Sequence, residues 1–315
     1  MEFRTNLNIN EISKPKNPIS YEAKIGLIGS CFVENIGEKL NYYKFSNWIN
    51  PNGILFHPLA IEKALSAVVS KKEYSKADLI YDNERWHSMD HHSDFSSLDA
   101  AKTLGSINTS LQNTFEALQT TSHLIITLGT AWVYHHIATD NLVANCHKIP
   151  QKEFVKRLLS VTEIVASLQN SIDLVKKINP KLEVILTLSP IRHLKDGMLA
   201  NSRSKAHLLA AIHQVVDTTT HYFPSYEIML DDLRNYRFYS SDMLHPNEVS
   251  VAYIWTIFKE IWISPKSFDL MEQVAQVQRD LQHKAFNPSS EKHNNFLKKL
   301  DKKKETLYNL YGISF

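Results

Sequence analysis

The sequence predicts an α/β protein, a three-layer sandwich with a parallel sheet between two sets of helices. Two observations carry that prediction. Short, largely apolar runs recur at residues 25–28, 124–128 and 184–188, and stretches of helical period separate them. Strands buried on both faces read as continuous apolar runs, and strands alternating with amphipathic helices read as βαβ units. Each run also ends in small or turn-forming residues: Gly29-Ser30, Gly129-Thr130 and Ser189-Pro190. In open parallel sheets, active sites collect outside such strand ends.

Taken in order, the elements are these. Residues 1–23 read as an extended arm, since Pro15 and Pro18 block a helix. After the strand at 25–28, Phe32, Val33, Ile36 and Leu40 recur at helical spacing. His57-Pro58 opens a helix to about Ser70, with proline suited to a first turn. Residues 79–89 read as a hairpin around Asp82-Asn83, and 98–120 as a helix. The strand at 124–128 is followed by a second hairpin with its turn at 138–141. Pro150 is expected to start a long helix to Ile178, which Asn179-Pro180 stops. The strand at 184–188 leads into the loop SPIRHLKDG. Residues 201–222 read as a helix, 226–230 as a fourth strand and 248–263 as the last helix of the domain.

The domain so defined spans 24–264, and 265–315 forms a helical extension. Its first stripe is Met271, Val274, Val277 and Leu281. A break near Pro288 leads to a second stripe, Leu297, Leu300, Leu307 and Leu310, and the lysines of 298–304 are expected to face water.

Composition excludes several classes. The chain has 315 residues, 43% hydrophobic and 22% charged, enough for a sizeable core. A net charge of +2 gives no reason to expect a nucleic-acid partner. No apolar run approaches the roughly 20 residues of a membrane span. The polar first twenty residues do not resemble a secretory segment, and Cys31 and Cys146 do not make a disulfide framework. The expectation is a reduced, cytoplasmic protein with no membrane partner.

The chemistry-bearing residues gather at the predicted strand ends and in SDMLHPN. Asp242 and His245, three apart, can meet when a turn places them on one face; an aspartate then fixes the imidazole tautomer and the ring can take a proton from a nucleophile. Ser30 stands where a strand turns into a helix, a place that exposes a side-chain oxygen and free backbone N–H groups. WHSMDHHSD, with His87, Asp90, His91, His92 and Asp94, offers metal-ligand types without a standard zinc spacing, or else a substrate lid. Arg192, His193 and Lys195 could bind an anionic or polar substrate or lie in a solvent-facing loop.

GSCF after a strand, TLGTAWVY, NCHK, LTLSPIRHLKDG, NSRSKAHL and YFPSYEIMLDDLRNYRFYSSDMLHPN together resemble the bacterial GSCFA domain family over roughly residues 24–263. That family is similar to the SGNH, or GDSL-like, hydrolase superfamily. The resemblance implies Ser30 as nucleophile, Asp242 as orienting acid and His245 as base, with Ser30 and His245 in hydrogen-bond reach. Cys31 is the alternative nucleophile; the Asp-x-x-His match favours Ser30, with Cys31 packed into the sheet. The sequence departs from the superfamily in two places. Ile28-Gly29 replaces the usual Gly-Asp before the serine. No asparagine follows Gly129, which leaves the Thr130 hydroxyl, Asn145 or His147 to complete an oxyanion site. Gly53 matches the second-block glycine or is an Asn-Gly turn. The implied activity is that of a serine esterase, O-acyl esterase or acyltransferase acting on a small-molecule or glycan ester through an acyl-Ser30 intermediate, without cofactor or metal. The alternative is a non-catalytic ligand- or carbohydrate-binding module that keeps the hydrolase fold.

Overall fold

A computed structural model describes residues 7, 8, 12 and 14–315, so most of the arm expected at 1–23 lies outside the described residues. The apolar runs form the centre of a five-stranded sheet. Its strands are β1 (Lys24–Gly29), β2 (Ser46–Ile49), β5 (His123–Leu128), β9 (Glu183–Leu188) and β10 (Thr220–Phe223), ordered β10-β9-β5-β1-β2. Every neighbouring pair in that sheet is parallel. Two short strands, β3 (Ile80–Asp82) and β4 (Arg85–His87), make the expected hairpin. A separate antiparallel sheet holds β6 (Trp132–His136), β7 (Asn141–Val143) and β8 (Phe154–Leu158) in the order β7-β6-β8.

Alternate residues of the central strands feed two cores, as the two-residue period of a strand requires. Leu124, Ile126, Val184 and Leu186 pack under α2 (Pro58–Val69), α3 (Ala100–Leu118), α4 (Val161–Ile178) and α5 (Met198–Val215). Ile25, Leu27, Ile125 and Ile185 pack on the opposite face, against α1 (Phe32–Tyr42) and α7 (Glu248–Trp262). The result is the three-layer α/β/α sandwich that the sequence predicts.

Three expectations need correction, and one element was not foreseen. The long helix from Pro150 is in fact β8 followed by α4. Ser160 caps α4 by accepting from the Glu163 N–H, and the Glu163 side chain reaches back to Ser160, so the helix starts at that capping box. The helix read over 201–222 ends at Val215, and its last residues belong to β10. The strand read at 226–230 is helical instead: α6 (Ser225–Glu227) runs into a π-helical turn, Ile228–Asp232. The edge strand β2 had no apolar run to announce it, because its residues are half-buried or exposed.

The extension is two helices, α8 (Phe268–Gln282) and α9 (Glu291–Tyr311), with the break spanning Pro288. Leu270, Val274, Val277, Leu300 and Leu307 form their shared core, and Met271 reaches the domain core instead. Leu281, Leu297 and Leu310, expected in the stripes, are exposed. The lysines face solvent, with Lys303 paired to Asp280 at 2.9 Å. Among the described residues no helix is long and apolar enough to cross a membrane.

Candidate active site

The chain leaves β1 for one edge of the sheet through β2 and then crosses to β5 on the other side, so the strand order reverses between β1 and β5. The crevice at such a reversal is where α/β sheets bind ligands. Here the ends of β1, β5 and β9 bring Gly29, Gly129 and Ser189 together. Gly29 has φ +136°, and a Cβ on it would lie 2.1 Å from the Thr127 carbonyl oxygen. No side chain fits there, which explains the glycine. Its N–H donates to Asn50 Oδ1 at 2.9 Å, its carbonyl accepts from the Leu55 N–H at 3.0 Å, and the Ser30 N–H donates to the Thr127 carbonyl at 3.0 Å. The turn is thereby tied to both flanking segments.

This turn sends Ser30 inward. Ser30 is 0% exposed, and its hydroxyl has no hydrogen-bond partner. The next residue, Cys31, opens α1 at its N-cap and is only partly buried. Its Sγ lies 3.8 Å from His245 Nε2. The structure therefore brings Cys31, and not Ser30, to the histidine. Cys31 is partly buried against the core on the α1 and α7 face of the sheet, as expected, while its Sγ still reaches His245; the fully buried position after the strand belongs to Ser30, and the helix begins one residue later.

On the far side of the ring, His245 Nδ1 lies 2.6 Å from Asp242 Oδ2. Asp242 Oδ1 accepts from the N–H groups of Leu244 at 2.8 Å and His245 at 3.0 Å. These backbone donors, together with the His245 ring, hold the Asp242 carboxyl down at about 2. An ionised Asp242 keeps the neutral ring's proton on Nδ1 and leaves the Nε2 lone pair facing the sulfur. Burial and the Glu34 carboxylate push the Cys31 thiol up, against the opposing pull of its own N–H, Lys205 and the Phe32 N–H. A thiol so placed needs a base to remove its proton, and Nε2 is the group at hand.

The remaining expected residues are engaged elsewhere. The Gly53 N–H donates to the Asn50 carbonyl at 2.7 Å, and its φ of +73° marks it as the turn glycine of Asn52-Gly53. The N–H groups of Gly129 and Thr130 share the Phe56 carbonyl at 2.8 and 3.0 Å. Thr130 Oγ1 pairs with Ser204 Oγ and accepts from the Trp132 N–H. Asn145 Oδ1 accepts from the His147 N–H, and its amide reaches Ser93. His147 Nε2 is 2.7 Å from the Ser88 carbonyl. None of these bonds points at Cys31. Thr130 is held by a helix behind it, and Asn145 and His147 pack with the histidine-rich loop. In that loop His87 pairs with Ser96, His91 with Ser88 and His92 with Asp94. Among the described residues no three His, Cys, Asp or Glu side chains are grouped to hold a metal.

Two side chains outside the expected triad and oxyanion set stand beside the site. His193 Nε2 is buried without a partner and would touch a Cβ on Gly129 at 3.0 Å. Its ring meets Phe56 edge-on at 5.4 Å. Burial first, then Lys205 and His245, push His193 down to about 3, so it is neutral at ordinary pH. Lys205 is 2% exposed, and its Nζ donates to the carbonyls of Gly129 at 2.8 Å and Ser189 at 2.7 Å. The available signal was a lysine within the buried stripe Asn201, Ser204, Leu208, Ala211 and Ile212 of one helix.

Fold and site together define a three-layer α/β/α protein with a thiol, an imidazole and a carboxylate in line at its switch point. The chain belongs to the GSCFA family, whose model matches residues 24–258; a model described as the GSCFA domain protein, C-terminal domain, matches 274–312. No curated protein matches the chain. Among solved structures it is similar to a carbohydrate esterase family 3 protein from Talaromyces cellulolyticus, with 11% identity, TM-score 0.38, and 79% of this chain and 98% of that one covered. It is also similar to a mutant acetyl esterase with acetate ion, with 12% identity, TM-score 0.37, and 80% and 99% covered.

Proposed function

We propose that this protein is a hydrolase or acyltransferase acting on esters, with Cys31 as nucleophile, His245 as base and Asp242 as the group that orients the ring. The observation that carries this reading is the continuous line from Sγ to Nε2 at 3.8 Å and from Nδ1 to Oδ2 at 2.6 Å. His245 Nε2 takes the thiol proton as Sγ attacks the acyl carbon. The tetrahedral oxyanion is assigned to the Cys31 and Phe32 N–H groups at the start of α1, where a helix leaves its first N–H groups without intrahelical partners. Collapse expels the alcohol, which takes the proton from His245, and leaves an acyl-thioester on Cys31. His245 then deprotonates a water, or a second alcohol, whose oxygen attacks the thioester; Cys31 recovers its proton and the carboxylic acid or new ester departs. The substrate class is a small-molecule or glycan ester. Two unbridged cysteines suit a reducing, cytoplasmic setting.

A second reading, a ligand-binding module without turnover, is favoured by the engagement of Gly53, Thr130 and Asn145 away from the thiol. An activated acetyl ester decides between them. Peptide mass spectrometry should find acetyl on Cys31, with hydrolysis slowed strongly in His245→Gln. Acetylation at Ser30, or none at all in folded protein, refutes the Cys31 assignment.

A further inference from the structure

The loop after β9 sets His193 against Gly129 and places Arg192 in a cleft of about 310 Å³, a size that suits a small molecule. The other walls of the cleft are the π-helical turn after α6 and the segment from Leu233 to Tyr239. Such turns are rare in helices and occur often at functional sites. The Arg192 guanidinium carbon lies 4.3 Å from the centre of the buried Tyr239 ring and 5.1 Å from that of the half-exposed Tyr236. Arg234 lines the same cleft. Among the described residues the arginines that pair with carboxylates are Arg157 and Arg279, and neither Arg192 nor Arg234 joins them. The one carboxylate on the lining, Asp231, is exposed and leaves an excess of positive charge.

A guanidinium has five N–H donors, more than the two tyrosine hydroxyls beside Arg192 can use. Held on aromatic rings, it presents a planar fork that matches the oxygens of a carboxylate or phosphate. The cleft is also tied to the loop that carries Asp242 and His245. The Arg192 N–H donates to the Leu244 carbonyl at 3.2 Å, and the Ser240 N–H, next to Tyr239, donates to the His245 carbonyl at 2.7 Å. We propose that this cleft binds a small molecule through an anionic oxygen group, a carboxylate or a phosphate, with Arg192 as the residue that selects it. The group belongs to the ester substrate or to a separate small anion, since the recognising chemistry is the same. The cleft stands whether or not Cys31 is the nucleophile.

The test is the binding of phenyl phosphate to full-length protein by isothermal titration calorimetry, with phenol as the uncharged probe. Wild type should bind phenyl phosphate at least about tenfold more tightly than phenol, and Arg192→Gln should lose about tenfold, the worth of one charge-assisted hydrogen bond. Arg192→Lys keeps the charge without the fork and should fall between the two. Absence of binding to wild type, phenol bound as tightly as phenyl phosphate, or a folded Arg192→Gln with wild-type affinity overturns the site. If the variants do not fold, wild type still decides: the phenyl protons of the bound probe should show intermolecular NOEs to the Tyr236 ring, and NOEs to other residues alone overturn it. Alkylation of Cys31 by iodoacetamide separates the two sources. Slowing by saturating phenyl phosphate assigns the anionic group to the substrate, and an unchanged rate assigns it to a separate small anion. A wild-type Cys31 that never reacts while Cys146 does overturns the nucleophile reading and leaves the cleft standing.

Discussion

Acid should unfold this protein well above the range where its carboxylates titrate, and His57 shows why. Its Nδ1 accepts from the Ala60 N–H at 3.1 Å as the N-cap of α2, and its Nε2 lies 3.1 Å from the Val143 carbonyl. Both nitrogens are committed with the proton on Nε2, so a second proton would have to displace the cap. Burial pushes His57 down to about 4, and does the same to His91 and His147. In the unfolded chain each returns to about 6.5. The sign follows directly. Between about 4 and 6.5 the unfolded state binds more protons, so stability is full above 6.5 and is lost as pH falls. At pH 5 each histidine has lost about 2 kcal/mol, and the three together about 6 kcal/mol, against a typical total of 5–15 kcal/mol. Urea unfolding followed by circular dichroism at pH 7.5, 6 and 5 should show this decline. His57→Asn keeps a capping acceptor and should recover about 2 kcal/mol of the loss at pH 5, while costing about 1 kcal/mol at pH 7.5 for the Val143 bond. A wild-type stability that is flat from pH 7.5 to 5, or an identical slope in His57→Asn, would refute the reasoning.

Three further outcomes are expected. Ser30→Ala should keep Cys31 acetylation and change stability by no more than about 1 kcal/mol, since the hydroxyl it removes is buried and unpartnered; loss of acetylation in this variant, with correct melting, would return the nucleophile to Ser30. Gly29→Ala should lower the melting temperature sharply or prevent folding, because its Cβ would meet a backbone oxygen at 2.1 Å; a melting temperature within a degree of wild type contradicts this. Leu307→Ala, at a site only 2% exposed, should cost about 2–5 kcal/mol in the α8–α9 layer by differential calorimetry and leave Cys31 alkylation unchanged. Alkylation lost along with that layer would make the extension part of the site.

The centre of the fold was readable because β1, β5 and β9 are buried on both faces and so carry nearly unbroken apolar runs. The edges were not. β2 and β10 each have a neighbour on one side only, and their residues SNWI and THYF mix polar with apolar side chains. Only the turn at Asp217, whose carboxylate accepts from the Thr219 and Thr220 N–H groups, separates THYF from the helix before it. In the stretch after Pro150, the decisive signal was Ser160 three residues before Glu163, a start that outweighs the proline upstream. The two tail helices were legible from their spacing, but the exposed Leu281, Leu297 and Leu310 show that a long stripe overstates the buried face when only one partner helix covers it.

At the site, Asp242 and His245 could be paired from their spacing alone, because a turn of three residues closes on itself. Which side chain meets His245 could not, because it depends on where the strand ends and the helix begins. Residues in a strand alternate faces, whereas residues in a helix advance about 100° each, so a shift of one residue at the junction exchanges the buried side chain for the exposed one. Gly29 is where the phase is set. With φ at +136° it still belongs to β1, the Ser30 N–H still bonds to Thr127 as a further strand residue would, and α1 starts after Cys31. The serine therefore completes the sheet and the thiol heads the helix. The proposed site depends on this register, which sets the thiol, and not the hydroxyl, 3.8 Å from His245 Nε2.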